Sequence, residues 1–254
     1  MKLNHIYNES CLYTMKRFKH KVSLILTSPP YNTSYGNDIT HKRYKYYDDT
    51  LSYEDYLDFT LKVFKGYDRV LKRNGVILYN ISYAQYRADE LFRLINKIIV
   101  KTNFSIADVI IWKKEKSRTM PNVSRQCLTR ICEFVFVFVR KDEIKSFNCN
   151  KKVICKGKSD APIYDNVLNF IEAENKDASA YANKLNTATF SKQLVNKLLN
   201  IYYVKGIVYD SFMGIGTTAK ACLLRGINFI GSEIDKEQIE YFKEWKKKQL
   251  NTTF

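Results

Sequence analysis

The sequence predicts an α/β fold built on a parallel sheet, and three observations predict it. Short apolar runs alternate with longer stretches of helical spacing along most of the chain. Two loops marked by glycine or proline follow such runs directly, where open α/β sheets hold their ligands. No internal repeat or low-complexity segment interrupts the alternation.

Each element follows from its spacing. VSLIL at 22–26 is a short buried strand that runs straight into TSPPYN. Residues 52–70 place Tyr53, Tyr56, Leu57, Phe59, Leu61, Val63, Phe64 and Val70 at helical intervals, and Asn74-Gly75 supplies a stop. VILYNI is the next buried strand. In 88–100, Leu91, Leu94, Ile95, Ile98 and Ile99 form the apolar stripe of a second helix. Residues 107–112 and 134–139 are strands expected to pair antiparallel across a basic loop. From 140 to about 186 the periodicity weakens, which makes this stretch the candidate subdomain. A helix at 190–202, a strand at 206–209, a helix at 217–225, a strand at 228–232 and a helix at 236–249 complete the chain.

The chain has 254 residues, 45% of them hydrophobic, enough for one substantial core and a small appendage. Residues 1–254 are therefore expected to form a single domain. No apolar run approaches the roughly 18 residues of a membrane span. The most apolar stretch, 131–139, is short and contains Glu133. The N-terminal MKLNHIYNES lacks the apolar core of a signal peptide. The expectation is a cytoplasmic protein with no membrane partner. Six scattered cysteines, no CxxC pair and only three histidines point to free thiols and to no metal site.

Charge narrows the partner. Forty-two Lys and Arg against 26 acids give +16, an excess that favours a polyanion. Residues 113–158 hold 13 basic and 4 acidic residues, more than half of the net charge. Lys113, Lys114, Lys116, Arg118, Arg125 and Arg130 head this cluster and are the candidate contacts to nucleic acid. Lysines scattered by base composition would not gather in this way.

Two motifs carry the chemistry. Asp210-Ser211-Phe212-Met213-Gly214-Ile215-Gly216-Thr217-Thr218 links a strand to a helix, so glycines admit a ligand close to the backbone and the helix N-terminus offers free N–H groups. About twenty residues on, Glu233 ends the next strand, where a carboxylate accepts both hydroxyls of a ribose. The lysine of a phosphate-binding P-loop and the third glycine of a dinucleotide fingerprint are both missing. S-adenosylmethionine, with a ribose and a carboxylate but no phosphate, meets what remains.

The second motif is Thr27-Ser28-Pro29-Pro30-Tyr31-Asn32. The exocyclic amine of a base is a poor nucleophile, because its lone pair is delocalised into the ring. Accepting hydrogen bonds from both N–H groups aims that lone pair at an electrophilic methyl. Ser28 Oγ and the Pro29 carbonyl supply such acceptors. Pro29 and Pro30 hold the loop rigid, and Tyr31 is placed to stack on the base. A base in a duplex has to flip out to enter such a pocket.

Together the motifs resemble the DNA amino-methyltransferases of bacterial restriction-modification systems, which make N4-methylcytosine or N6-methyladenine. Their order, catalytic SPPY first, basic region in the middle and cofactor motif last, is similar to the beta arrangement of that family. The likeness extends to the 74–78 strand, to Trp112-Lys113, to Glu133 and the strand after it, and to Thr187-Ala-Thr-Phe190. It implies a permuted Rossmann-like sheet with a small target-recognition region at about 113–186, and direct methyl transfer without a metal. It places Phe212, Gly214, Gly216 and Thr217 along the cofactor, Asp210 at its methionine end, Glu233 at the ribose, and Phe190 and Ser191 in a further wall. The chain departs from the family pattern at Ser211, where a proline is usual, and at 186–191, which lacks the usual prolines. The implied partners are double-stranded DNA, a second copy of the chain and a cognate restriction endonuclease. Ser28 leans the target to cytosine N4, with adenine N6 the alternative. An RNA amino-methyltransferase and a DNA-binding relative without catalysis are the remaining rivals.

Overall fold

The computed structural model describes residues 1–32, 49–83, 87–115, 128, 130–177, 185–186 and 189–251. In chain order the elements are β1 (His5–Asn8), α1 (Cys11–Lys16), β2 (Val22–Thr27), α2 (Tyr53–Val70), β3 (Leu71–Ile81), α3 (Ala88–Lys101), β4 (Phe104–Lys114) and β5 (Cys132–Arg140). There follow β6 (Val153–Lys156), β7 (Pro162–Tyr164), β8 (Phe170–Ala173), α4 (Lys192–Tyr202), β9 (Ile207–Asp210), α5 (Thr217–Leu224), β10 (Asn228–Glu233) and α6 (Lys236–Asn251).

Eight strands form one sheet in the order β1-β10-β9-β2-β3-β5-β4-β8. The five from β1 to β3 run parallel to their neighbours. β5 is antiparallel to both β3 and β4, the pairing expected for the 107–112 and 134–139 strands. The sheet is thus mixed rather than purely parallel.

Alternation along each strand builds a core on both faces. Leu24, Leu26, Leu78, Val135, Val137, Val139, Val208 and Phe229 pack on one side under α4, α5 and α6. Ile25, Ile77, Tyr79, Phe136, Phe138, Tyr209 and Ile230 pack on the other under α1, α2 and α3. The VFVFV run of β5 sends its valines to one core and its phenylalanines to the other. α2 starts where Ser52 accepts a hydrogen bond from the Asp55 N–H, with Glu54 and Asp55 in its first turn.

The centre of the sheet decides where a ligand goes. β2 and β9 lie side by side, with Leu24 opposite Val208 and Ile25 opposite Tyr209. After β2 the chain crosses by α2 to β3, and after β9 it crosses by α5 to β10 on the opposite side. The strand order therefore reverses between β2 and β9, and a crevice opens at their carboxyl ends. The two motifs sit at those ends.

Several elements differ from the sequence expectation. β1 and α1 are additional; a four-residue strand and a six-residue helix are too short for periodicity to register. The stop at Asn74-Gly75 falls inside β3, where Asn74 turns with a φ of 54° and the pairing with β2 shifts register. The weakly periodic stretch contributes the edge strand β8 and a separate hairpin of β6 and β7. The 113–186 region is not a detached insertion, since β5 within it is an interior strand of the main sheet. No helix among the described residues is long and apolar enough to cross a membrane. Among the same residues no group of His, Cys, Asp and Glu is placed to hold a metal ion, and five cysteines are free thiols.

Candidate active site

The loop after β9 is shaped by its backbone. Gly214 has φ +55° and Gly216 φ +82°, both in the left-handed region that favours glycine. Gly214 donates its N–H to Glu233 Oε2 at 2.7 Å, and Asp235 donates to Oε1 at 2.9 Å. Glu233 is thereby fixed at the end of β10. Burial, opposed by those two backbone hydrogen bonds, pushes its carboxyl up to about 7. Gly216 caps α5, and a Cβ there would strike the Phe242 ring at 2.5 Å, so its surroundings are helix packing. Thr217 lies in the first turn with a buried hydroxyl that has no hydrogen-bond partner among the described residues.

Asp210 joins this loop to the one after β2. Its carboxylate accepts from Thr27 Oγ1 at 2.7 Å, from the Phe212 N–H at 3.1 Å and from Thr218 Oγ1 at 2.6 Å. Complete burial pushes its carboxyl up to about 6 against the pull of these three bonds. Where the family pattern has proline, the buried Ser211 hydroxyl bonds Tyr67 at 2.5 Å and Thr27 at 3.2 Å. Side-chain hydrogen bonds hold here what a pyrrolidine ring would restrict.

The TSPPYN loop is fixed from both ends. Tyr56 of α2 donates to the Pro30 carbonyl at 2.7 Å, and Asn32 donates through its N–H to Asp49 and through its amide to the Leu51 carbonyl. Ser28 Oγ lies 3.0 Å from the Tyr31 hydroxyl, which donates to Glu133 Oε2 at 2.8 Å. Asn80 at the end of β3 donates to the same oxygen at 3.3 Å, and Lys114 pairs with Glu133 Oε1 at 2.5 Å. Carboxyl ends of β2, β3 and β4 and the start of β5 thus meet around one acid.

Both loops open into a single cavity of about 610 Å³, the size of a small-molecule site. Ser28, Pro30, Tyr31, Phe190, Asp210, Phe212, Gly214, Thr217 and Glu233 line it. Pro29, Gly216 and Ser191 are not among its lining residues. Ser191 is buried as the cap of α4, accepting from the Leu194 N–H. Of the basic candidates, Lys114 and Arg130 line the cavity, Arg130 lying over the Tyr83 ring and bonding the Tyr83 carbonyl. Lys113 is paired with Glu172 at 2.9 Å. Lys116, Arg118 and Arg125 lie outside the described residues.

Sequence reasoning gave no role at the site to Glu133, Asn80, Ser82 or the Glu9–Cys11 rim of the cavity. Only a charged residue opening an otherwise apolar strand marked Glu133 out. Nothing local distinguished Asn80 or Ser82, which come to the cavity through β3 register. Part of the basic cluster is structural: Arg140 binds Asp68 at 2.7 Å and three backbone carbonyls.

A doubly wound sheet with a glycine loop, a ribose-type acid and an SPPY turn at its switch point is the frame of a nucleotide-using transferase. The family model described as DNA methylase, for N6 and N4 enzymes, matches residues 22–244. The chain belongs to that family and is an S-adenosylmethionine-dependent DNA amino-methyltransferase. It is 24% identical to the type II methyltransferase M.MthZI of Methanothermobacter thermautotrophicus, over 94% of this chain and 74% of that protein. The fold is shared with the cytosine-N4-specific PvuII DNA methyltransferase (TM-score 0.68, 18% identity, 94% of this chain and 84% of that one). It is also shared with the M1.HpyAVI–SAM complex (TM-score 0.59, 24% identity, 94% and 98%).

Proposed function

We propose that this methyltransferase acts on N4 of cytosine in double-stranded DNA, with the base flipped into the cavity beside Ser28. The observation that carries the reading is Ser28 itself, a neutral hydroxyl at the first position of the catalytic motif, lining the same cavity as Gly214 and Glu233. The family resemblance associates serine there with cytosine enzymes, and Asp or Asn with adenine enzymes. Ser28 Oγ, which lines the cavity, accepts from the target amine and the Tyr31 ring stacks on the base, while Pro29, outside the lining, keeps the loop rigid.

Cofactor roles fall to the other half. Glu233 accepts the ribose hydroxyls, and Gly214 and Phe212 form the floor and wall. Thr217, whose buried hydroxyl has no partner among the described residues and which lies beside the first N–H groups of α5, faces the methionine end. These residues fit S-adenosylmethionine, which supplies the methyl group. Asp210 acts by holding Thr27 and Thr218, so it sets the spacing of the two loops. Gly216 and Ser191 shape the helix starts, and Phe190 closes a side. The 113–186 region reads the target sequence, and its stretch at 141–169, which carries the separate β6–β7 hairpin, lies outside the main sheet. A homodimer and a cognate restriction endonuclease are the partners that go with this reading.

Nucleoside mass spectrometry after reaction with unmethylated duplex DNA tests it. N4-methylcytosine is the expected product. N6-methyladenine as the only product would overturn the role given to Ser28.

A further inference from the structure

Glu133 stands at the head of β5 with three polar side chains turned towards it, more than a surface acid at a strand end gathers. Its Oε2 accepts from Tyr31 at 2.8 Å and from Asn80 at 3.3 Å, and its Oε1 pairs with Lys114 at 2.5 Å. Ser28 lies one hydrogen bond further along, 3.0 Å from the Tyr31 oxygen. Asn80 is itself fixed, donating also to the Phe134 carbonyl at 3.1 Å.

We propose that Glu133 is a positioning residue for methyl transfer, which sets the direction of the Ser28–Tyr31 hydrogen bond and so keeps Ser28 an acceptor towards the target amine. The direction follows from the available protons. A carboxylate paired with a lysine has no proton to give, so the Tyr31 hydroxyl must donate to it. Tyrosine has one hydroxyl proton. Its oxygen can therefore only accept from Ser28, and the Ser28 proton is committed to Tyr31.

Both lone pairs of Ser28 then remain for an amine N–H. In the opposite orientation Tyr31 would donate to Ser28, occupy one lone pair and leave the serine proton free. That proton would compete for the nitrogen lone pair that has to attack the methyl. Lys114 and Asn80 supply the charge and the donor that hold Glu133 in this role.

The inference rests on the assignment of Ser28 as amine acceptor, and its test separates the two. Single-turnover methylation rates on duplex DNA and cofactor dissociation constants are measured for wild type, Ser28→Ala, Tyr31→Phe, Glu133→Gln and the Tyr31→Phe/Glu133→Gln pair. Lys114 claims the amide oxygen in Glu133→Gln, which leaves the amide NH₂ towards Tyr31 and reverses the chain. That variant should lose about tenfold or more in rate while its cofactor and DNA affinities stay within about twofold. Added to Tyr31→Phe, the same change should cost less than about twofold, because its route to Ser28 is already cut.

A wild-type rate in Glu133→Gln, or an equal loss in both backgrounds, overturns the inference. A wild-type rate in Ser28→Ala overturns the underlying assignment instead. Should Glu133→Gln fail to bind cofactor, Glu133→Met, which carries neither donor nor acceptor, is read by the same two criteria.

Discussion

The two halves of the cavity are built in different ways. The cofactor half is local: Asp210 to Thr218 and Glu233 come from one strand-loop-helix-strand unit, and its key contacts run to backbone N–H groups of Gly214 and Asp235. The catalytic half is non-local: Ser28, Tyr31, Asn80, Lys114 and Glu133 come from four strand ends and meet through side chains. A local, backbone-built site leaves its mark in sequence, as glycines that alone tolerate positive φ. A site assembled across strands leaves almost none, because register between distant strands decides who meets whom. Asp210 spans both, bonding Thr27 on one side and Thr218 on the other.

This contrast can be broken by substitution. The largest effect is expected from Ser28→Ala, which should lower the single-turnover rate by about a hundredfold or more, as loss of a positioned polar group does, and leave cofactor affinity unchanged. Isotope transfer and calorimetry on one preparation check both. Glu233→Ala should do the reverse, weakening cofactor binding by at least one to two orders of magnitude, since even one hydrogen bond to a charged acceptor contributes about 1.5–3 kcal/mol. Gly214→Val should also weaken binding, because a φ of +55° strains any β-branched residue.

Acidity sharpens the cofactor half. With the Glu233 carboxyl pushed up to about 7 by burial, acid below that value protonates the group that must accept the ribose hydroxyls. Cofactor affinity should therefore fall as pH drops through 7, by at most about tenfold per pH unit. A flat profile in Glu233→Gln and a sloping one in wild type would assign the dependence. For folding the sign is set by the raised carboxyl: the contribution of Glu233 to stability is present below about 4.3, the ordinary glutamate value, and is lost as pH rises through 7.

Substitution can separate charges of the basic region that meet DNA from charges that hold the fold. Alanine at Lys151, Lys152, Lys156 and Lys158 should flatten the salt dependence of DNA binding, by about 0.9 in log–log slope for each phosphate no longer neutralised. Arg140→Ala should instead lower thermal stability and leave that slope unchanged, because its guanidinium is spent on Asp68 and three carbonyls.

Most of the fold was legible in the sequence. The long helices and buried strands appeared through periodicity, and the antiparallel β4–β5 pair through the apolar run facing a basic loop. β1, α1 and β8 escaped because four to six residues hold less than two turns of pattern. In the site, Gly214, Asp210 and Glu233 stood out by spacing and SPPY by composition. Ser211 read as a missing proline, yet its hydroxyl bonds to Tyr67 and Thr27, a contact that spans 144 residues of chain to α2. Glu133 looked like an interruption in a strand, and only the fold brings it to Tyr31.

The claim that the two loops form one methyl-transfer site is tested most directly by transfer of a labelled methyl from S-adenosylmethionine to unmethylated duplex DNA. Wild type, Ser28→Ala and Glu233→Ala are compared over a range of cofactor concentrations up to saturation. Wild type should label DNA, and Glu233→Ala should recover much of its rate once enough cofactor is present. Ser28→Ala should stay slow at every concentration. Labelling by Ser28→Ala at the wild-type rate, or labelling of RNA in preference to DNA by wild type, would contradict the account.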